Sequence, residues 1–410
     1  MPGPGIELVG AEEIEEVLEV MHSGFLSRYG PADNPKFLAK THHLEEEVAA
    51  MVGVKHALAL SGGGSAALWI ALLSLGIGAG DEVIVPGFTF VASISSIVYT
   101  GATPILAEVD ESFDLDPVDV EAKVTPRTKA ILVVHMLGGP ARLDELKAIA
   151  DRHGIALVED GCQAFGGSYR GRAIGATGKL GAFSFNEYKI ITCGDGGMIV
   201  TDDTELFERA FAMHDQGHAP SRLESKYAPR PFLGMNFRMA ELPSAVLRAQ
   251  LRKMPQILAH MRAQKAIVRD VLEEVPNIGY RQLADPAGDI ATHLVTILPT
   301  AEVAANVAKE VGAITLGQSG WHVYSKMDHL LQHRTVTGKG YPFDQPGQPV
   351  PDYHAGVLPK TDALLARSIS IGIGIKDPNL ASFGLRIRDG QAEARQMAST
   401  FRDAVIRNLR

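Results

Sequence analysis

The sequence predicts an α/β protein, with a large domain on a mostly parallel seven-stranded sheet and a smaller α/β domain after it. From about residue 50 to 200, short β-branched runs alternate with helical patterns. Residues 203–275 then read as largely helical, and beyond about residue 278 the texture returns to short strands, a helix and a Gly/Pro-rich stretch.

In chain order, the strands of the first block are HALALS, DEVIVP, TPILAEV, KAILVVH, GIALVED, GAFSF and GMIVT. Helices are predicted over residues 65–75, 90–99, 118–123 and 143–153, each with apolar residues at helical spacing, and the first two follow turn residues that can cap them. In the helical block, Pro243 and Pro255 start or bend helices. The last block holds the strands ATHLVTILP and RSISIGI, a helix over residues 301–311, and a long loop over residues 337–359 of the kind that is functional or mobile in a compact domain.

A chain of 410 residues with 46% hydrophobic side chains can fill two cores. Its 21% charged content and formal charge of −9 include no basic stripe for a phosphate backbone, so nucleic-acid binding is not expected. The opening MPGPGIELVGAEEIEEV carries acids where an export signal needs a basic and then an apolar region. Apolar runs break before the length needed to cross a bilayer, so no membrane partner is expected. Cys162 and Cys193 alone make no disulfide framework and no metal-site spacing, which points to a reducing cytoplasm; none of the fourteen histidines shows paired zinc spacing.

The chemistry concentrates at the carboxyl edge of the sheet, where open α/β folds bind ligands. Asp160 ends the strand GIALVED, Gln163 follows it, and Lys189 stands between the strand GAFSF and the turn CGDGG. An imine-forming lysine attacks as the neutral amine, and a carboxylate against a pyridine nitrogen keeps that nitrogen protonated so the ring can accept electrons. Alone, Lys189 reads as a surface lysine and Asp160 as a turn cap; the joint pattern favours the pair. The Gly-rich turn SGGGSAAL offers the N–H groups around Gly64 and Ser65 to an anion, or serves only tight strand–helix packing. Ser184 adds a phosphate contact or is a self-satisfied buried hydroxyl, and Phe90 stacks on a ring or fills the core.

These residues sit in long segments: GSAALWIALLSLGIGAGDEVIVPGFTFVAS, VEDGCQAFGGSYRGRAIG, GAFSFNEYKIITCGDGGMIVTDD and LGMNFRMAELPSAVLRAQLRKM. Taken in this order, they resemble the DegT/DnrJ/EryC1/StrS family of pyridoxal-phosphate sugar and cyclitol aminotransferases over nearly the whole chain. The segments VHMLGGPARLDE, MHDQGH, RPFLGMNFRM, WHVYSKMDHLL and LPKTDALLARSISI are similar to the 8-amino-3,8-dideoxy-manno-octulosonate type within it.

The resemblance implies the aspartate-aminotransferase-like fold type I and pyridoxal 5′-phosphate as cofactor. It divides the chain into an N-terminal segment at the active-site mouth (1–45), a large cofactor-binding domain (46–275) and a small C-terminal domain (276–410). It makes Lys189 the imine lysine and Asp160 the partner of the ring nitrogen. Gln163 would bond the phenolic oxygen and Phe90 stack on the ring. Gly64, Ser65 and Ser184 would hold the phosphate, joined by Asn236 from a neighbouring subunit, which implies a homodimer. Departures from the family pattern at Gly63–Ser65, Glu187, Tyr188, Ile190, Cys193 and Asp195 bear on reaction and substrate rather than on cofactor.

The expected reaction is amino transfer from a donor, glutamate by preference, to a carbonyl of a sugar-like acceptor: a keto sugar acid of the octulosonate type, a sugar nucleotide or an aminocyclitol precursor. Acceptor contacts are expected from SGFLSRYG and WHVYS, with Arg28 paired to a carboxylate and Tyr29, His214, His218 and His322 nearby, although each histidine also reads as an ordinary packed or surface residue. Other readings are a dehydratase, decarboxylase or oxidase on the same scaffold, and a regulatory protein that retains only the fold. Family dehydratases carry histidine in place of the lysine, and Lys189 argues against that version.

Overall fold

The computed structural model describes residues 3–220, 231–345 and 349–409. Residues 221–230 of the block read as helical, and 346–348 of the long loop, lie outside the described residues.

The chain begins with helices α1 (Ala11–Ser23) and α2 (Lys40–Val52) and then enters the sheet. There follow β1 (His56–Leu60), α3 (Gly63–Ser74), β2 (Glu82–Pro86), α4 (Val91–Thr100), β3 (Thr103–Ala107), α5 (Pro117–Lys123), β4 (Thr128–Val134), α6 (Leu143–His153), β5 (Ala156–Asp160), β6 (Leu180–Ser184) and β7 (Gly197–Thr201). The sheet order is β1-β7-β6-β5-β4-β2-β3. The seven runs read as strands are these seven strands.

Parallel pairing joins β3, β2, β4, β5 and β6, while β7 runs against both its neighbours, β6 and β1. The reversal has a local cause. A parallel neighbour requires a crossover over the sheet face, and between Ser184 and Gly197 the chain forms a closed loop instead of a helix. Thr192 Oγ1 and the Cys193 N–H both return to the Phe185 carbonyl, at 2.9 and 3.1 Å, which leaves Lys189 at the outer end of the loop.

Helices cover both faces. Along β4, Ile131 and Val133 enter one core with α2, α6 and the long helix over Glu241–Leu272, while Ala130, Leu132 and Val134 enter the other with α3 and α4. All of these are at most 3% exposed, so alternate side chains find apolar partners on opposite faces and the strand reads as one uninterrupted apolar run.

The helical block resolves into α7 (Thr204–His214) and α8 (Glu241–Leu272), with Pro243 in the first turn of α8 and Pro255 inside it. The described residues between them, 215–220 and 231–240, are not helical. Isolated bridges Asp215–Asn236 and Leu60–Arg238 lay them along the sheet edge beside the Gly-rich turn, where the Phe237 carbonyl accepts the Ser61 N–H at 2.8 Å. Beyond α8, β8 (Gly279–Tyr280), β9 (His293–Ile297) and β10 (Ser368–Gly372) form a three-stranded antiparallel sheet, packed by α9 (Ala301–Val311), α10 (Pro359–Ala366) and α11 (Gln391–Asn408). No helix among the described residues is long and apolar enough to cross a membrane.

The N-terminal segment reaches the Lys189 loop. The Gly3 N–H donates to the Glu187 carbonyl at 2.7 Å, and a Cβ on Gly3 would lie 2.6 Å from the Lys189 carbonyl oxygen, a contact that only glycine allows. Glu13, near the start of α1, accepts from Gln250 and pairs with Lys253 on α8.

Candidate active site

A cavity of about 300 Å³ opens at the carboxyl edge of the sheet. Its floor comes from the large domain: Cys162 and Gln163 after β5, and Asn186, Tyr188, Lys189 and Ile190 from the loop after β6. Its far wall comes from the small domain through Thr292, His293, Asp377 and Asn379, with Phe90, Trp321 and His322 at the rim.

Asp160 lies just beneath this floor, 4% exposed. Its Oδ2 accepts from Ser93 Oγ at 2.7 Å, its Oδ1 accepts from the Cys162 N–H at 3.0 Å, and Thr89 Oγ1 is 2.7 Å from Ser93 Oγ. Two fixed donors therefore set the carboxylate's orientation and leave acceptor capacity over. The Cys162 thiol links Asp160 to Lys189: burial first, and then the Asp160 carboxylate, push its pKa well above the usual thiol value, while the Lys189 ammonium opposes them.

Gln163 has its Oε1 occupied by the Leu137 N–H at 2.9 Å, so its amide NH₂ is the end left to donate. Lys189 is half-buried in the cavity wall.

The Gly-rich turn meets the floor from the side. A Cβ on Gly64 would stand 2.6 Å from Cys162 Sγ and 2.9 Å from Ser184 Cβ, so the start of α3 presses against the ends of β5 and β6 with room for glycine only. Gly63, at φ +65°, makes the turn. The Ala66 N–H already bonds the Gly62 carbonyl, which leaves the earlier N–H groups of α3 and the exposed Ser65 free to hold an anion. Ser184 is buried at the end of β6.

Phe90 caps α4 and is 40% exposed, so it is not a core residue. The segment after Gly320 runs beside it as a short extension of the sheet: the Thr89 and Val91 N–H groups donate to the His322 and Trp321 carbonyls, both at 2.9 Å. The His322 ring lies 5.3 Å from Phe90 and the Trp321 ring 6.5 Å from it. His322 Nδ1 is 2.9 Å from Ser319 Oγ, and burial, reinforced by the Lys189 charge, lowers its pKa to about 3, so it is neutral at ordinary pH.

Four residues expected near the acceptor, Arg28, Tyr29, His214 and His218, do not line the cavity. Arg28 is buried; its Nη2 donates to both carboxylate oxygens of Glu45 at 2.8 and 3.0 Å, and its Nη1 lies 3.2 Å from His214 Nε2. His214 is fully buried, with its pKa lowered to about 3 by burial and then by Arg28. Neither lines the cavity; each satisfies the other at the base of β1, because a buried guanidinium requires acceptors and Glu45 supplies them. Tyr29, 45% exposed, spends its hydroxyl on Asp215, which also takes Arg238, and His218 Nδ1 bonds the Asp215 carbonyl at 2.9 Å. Asn236 is exposed and lies outside the lining of its own chain's cavity.

Sequence reading missed Ser93, Thr292, His293, Asp377 and Asn379. For Ser93 a signal existed, since Thr89 and Ser93 stand four apart across a helix start and so share one face. The other four carry no local signal.

A family model described as the DegT/DnrJ/EryC1/StrS aminotransferase family matches residues 7–324. The chain is 38% identical over 270 residues to GDP-perosamine synthase of Caulobacter vibrioides, a match that covers 66% of this chain and 68% of that protein. Among solved structures, an aminotransferase from Psychrobacter cryohalolentis superposes with a TM-score of 0.80 at 28% identity, covering 100% of this chain and 99% of the other. S. venezuelae DesV in complex with a ketimine intermediate gives 0.74 at 31% identity, covering 96% and 94%.

Proposed function

The chain belongs to the DegT/DnrJ/EryC1/StrS family and is a pyridoxal 5′-phosphate-dependent aminotransferase of fold type I acting on sugar-like substrates; from that premise we propose that it moves an amino group from glutamate to the aldehyde of an eight-carbon keto sugar acid. The observation that carries the cofactor chemistry is one cavity floor that holds Gln163 and Lys189, with the Asp160 carboxylate and Lys189 both acting on the thiol of Cys162 in that floor. The residues fit the group: a fixed carboxylate, a free amide NH₂, a half-buried amine, and a helix start against which no side chain larger than glycine's fits.

Bound pyridoxal phosphate supplies the carbon that takes nitrogen from the donor and gives it to the acceptor, and the ring that accepts the electrons of the broken C–H bond. Lys189 would hold the cofactor through Nζ, and its amine, once displaced, would hold and move the proton taken from the donor carbon. Asp160, oriented by Ser93, would keep a proton on the ring nitrogen. Gln163 would donate its Nε2–H to the phenolic oxygen. The first N–H groups of α3, with the Ser65 and Ser184 hydroxyls, would hold the phosphate, and Phe90 would cover the ring. Asn236 completes the phosphate site of a second copy in a homodimer, a role consistent with its exposure and its place outside its own cavity.

Asp377 and Asn379 stand in the far wall of the cavity, where they suit hydroxyl groups of an acceptor. This supports an acceptor whose reacting end is neutral and hydroxylated, with any carboxylate held away from it, as in an eight-carbon acid that reacts at its far terminus. A nucleotide-linked keto sugar also presents a neutral reacting end, and the similarity to GDP-perosamine synthase favours it as the second reading.

Mixing the purified holoenzyme with glutamate should bleach the cofactor's visible absorbance and release 2-oxoglutarate; an unchanged spectrum contradicts amino transfer from this donor. Supplying the amino-loaded enzyme with an 8-oxo-octulosonate or with a GDP-linked keto sugar, and following return of the absorbance, decides between the acceptors.

A further inference from the structure

A second cleft, of about 450 Å³, lies between α8 and the sheet of the small domain, and His293 lines both it and the cofactor cavity. One face of α8 contributes Arg262, Lys265 and Arg269 at helical spacing, and Arg281 follows β8. Against these four cations the lining holds one carboxylate, Asp289, in a chain whose formal charge is −9.

The cations are only partly used. Lys265 pairs with Asp289 and Arg281 with Asp114, whereas Arg269 lies 3.2 Å from the Tyr280 ring centroid with Glu273 at 3.7 Å, and Arg262 bonds backbone carbonyls and is exposed. Their field is felt inside the wall: after burial, the Lys265 and Arg281 charges lower the His293 pKa to about 3.

Three lining side chains carry a buried polar atom with no hydrogen-bond partner among the described residues: Arg281 Nε, Asp289 Oδ1 and His293 Nε2. Thr292 Oγ1 donates to the Leu137 carbonyl and so accepts from His293 Nδ1 at 2.9 Å, which leaves the neutral ring's Nε2 as an acceptor. The cleft thus offers cations to an anion and Asp289 Oδ1 to a hydroxyl donor, while His293 Nε2 is a second acceptor in the wall that the cleft shares with the cofactor cavity. Unmade hydrogen bonds of this kind are costly in a buried wall and are relieved by a ligand that supplies the missing groups.

We propose that this cleft binds a small hydroxylated anion, a sugar phosphate or a sugar acid, at a site separate from the cofactor cavity. The inference stands independently of the acceptor assigned above.

Titration calorimetry on the holoenzyme tests it with glucose 6-phosphate, gluconate, glucose and inorganic phosphate as probes. Saturable binding of glucose 6-phosphate or gluconate, with a Kd below about 1 mM, is expected, and which of the two binds identifies phosphate or carboxylate as the anion. Glucose, lacking the charge, and inorganic phosphate, lacking the sugar hydroxyls, should bind more weakly. Arg262→Gln should weaken binding about tenfold. Ala266→Glu, which adds a carboxylate at an exposed lining position, should weaken it at least as much with the thermal melting curve unchanged. No saturable heat with either anion would overturn the proposal, and so would binding that both variants leave intact.

Discussion

At the floor of the cavity Asp160 is 4% exposed and held by two donors, whereas at the rim Phe90 and Trp321 are 40% and 52% exposed and their side chains meet only each other and His322 among the rings of the described residues. The floor is built from strand ends, one helix start and the loop after β6, which is closed on the Phe185 carbonyl. The rim is built from a loop and from the small domain. A site divided in this way holds its cofactor in one geometry while its substrate contacts can change without disturbing the sheet.

Substitutions at the floor should therefore act on kcat and those at the rim on KM. Asp160→Asn removes the charge proposed to keep the ring nitrogen protonated, and steady-state assays should show kcat lower by about 100-fold or more. A variant with kcat within a few-fold of the parent would break the comparison at its strongest point.

The Arg28–His214 cluster supplies a region that belongs to neither floor nor rim. His214 has a folded pKa of about 3 against an ordinary value of 6.5. Above about pH 6.5 neither folded nor unfolded chain protonates it and stability does not depend on it; as pH falls from 6.5 toward 3, the unfolded chain binds a proton that the folded one refuses, so stability drops. The slope approaches about 1.4 kcal/mol per pH unit for this residue. Urea melts between pH 7 and pH 5 should show a shallower loss for His214→Gln than for the parent.

Ser93→Ala leaves the Asp160 carboxylate in place but frees its orientation, and kcat should fall about tenfold with KM for the acceptor unchanged. Trp321→Ala should do the reverse, raising the acceptor KM several-fold, about 1 kcal/mol, with kcat nearly constant. A Trp321 variant that loses kcat as Ser93→Ala does would show that rim and floor act as one unit.

The floor was legible in the sequence because its parts are local. Asp160 ends a strand, the Gly-rich turn starts a helix, and Lys189 sits in a loop too short to cross the sheet, each set by neighbours within a few residues. Ser93 was legible in principle from its spacing to Thr89. At the rim Phe90 and His322 were named from the sequence, but the far wall was not, since Thr292, His293, Asp377 and Asn379 reach the cavity only by folding of a second domain, about 100 to 190 residues beyond Lys189. Arg28 shows the opposite failure. Its residue type suggested a carboxylate clamp, yet the carboxylate it meets is Glu45 of its own chain, and nothing within a few positions of either announces the pairing. Similarly, the reversed direction of β7 follows from the missing crossover helix, a feature of connection length rather than of strand composition.

Borohydride reduction of the holoenzyme followed by peptide mass mapping bears most directly on the central assignment. A pyridoxyl mass on the peptide containing Lys189, and none in the Lys189→Ala variant, is the predicted result. The same mass on a different lysine, or its persistence in the variant, would contradict the account.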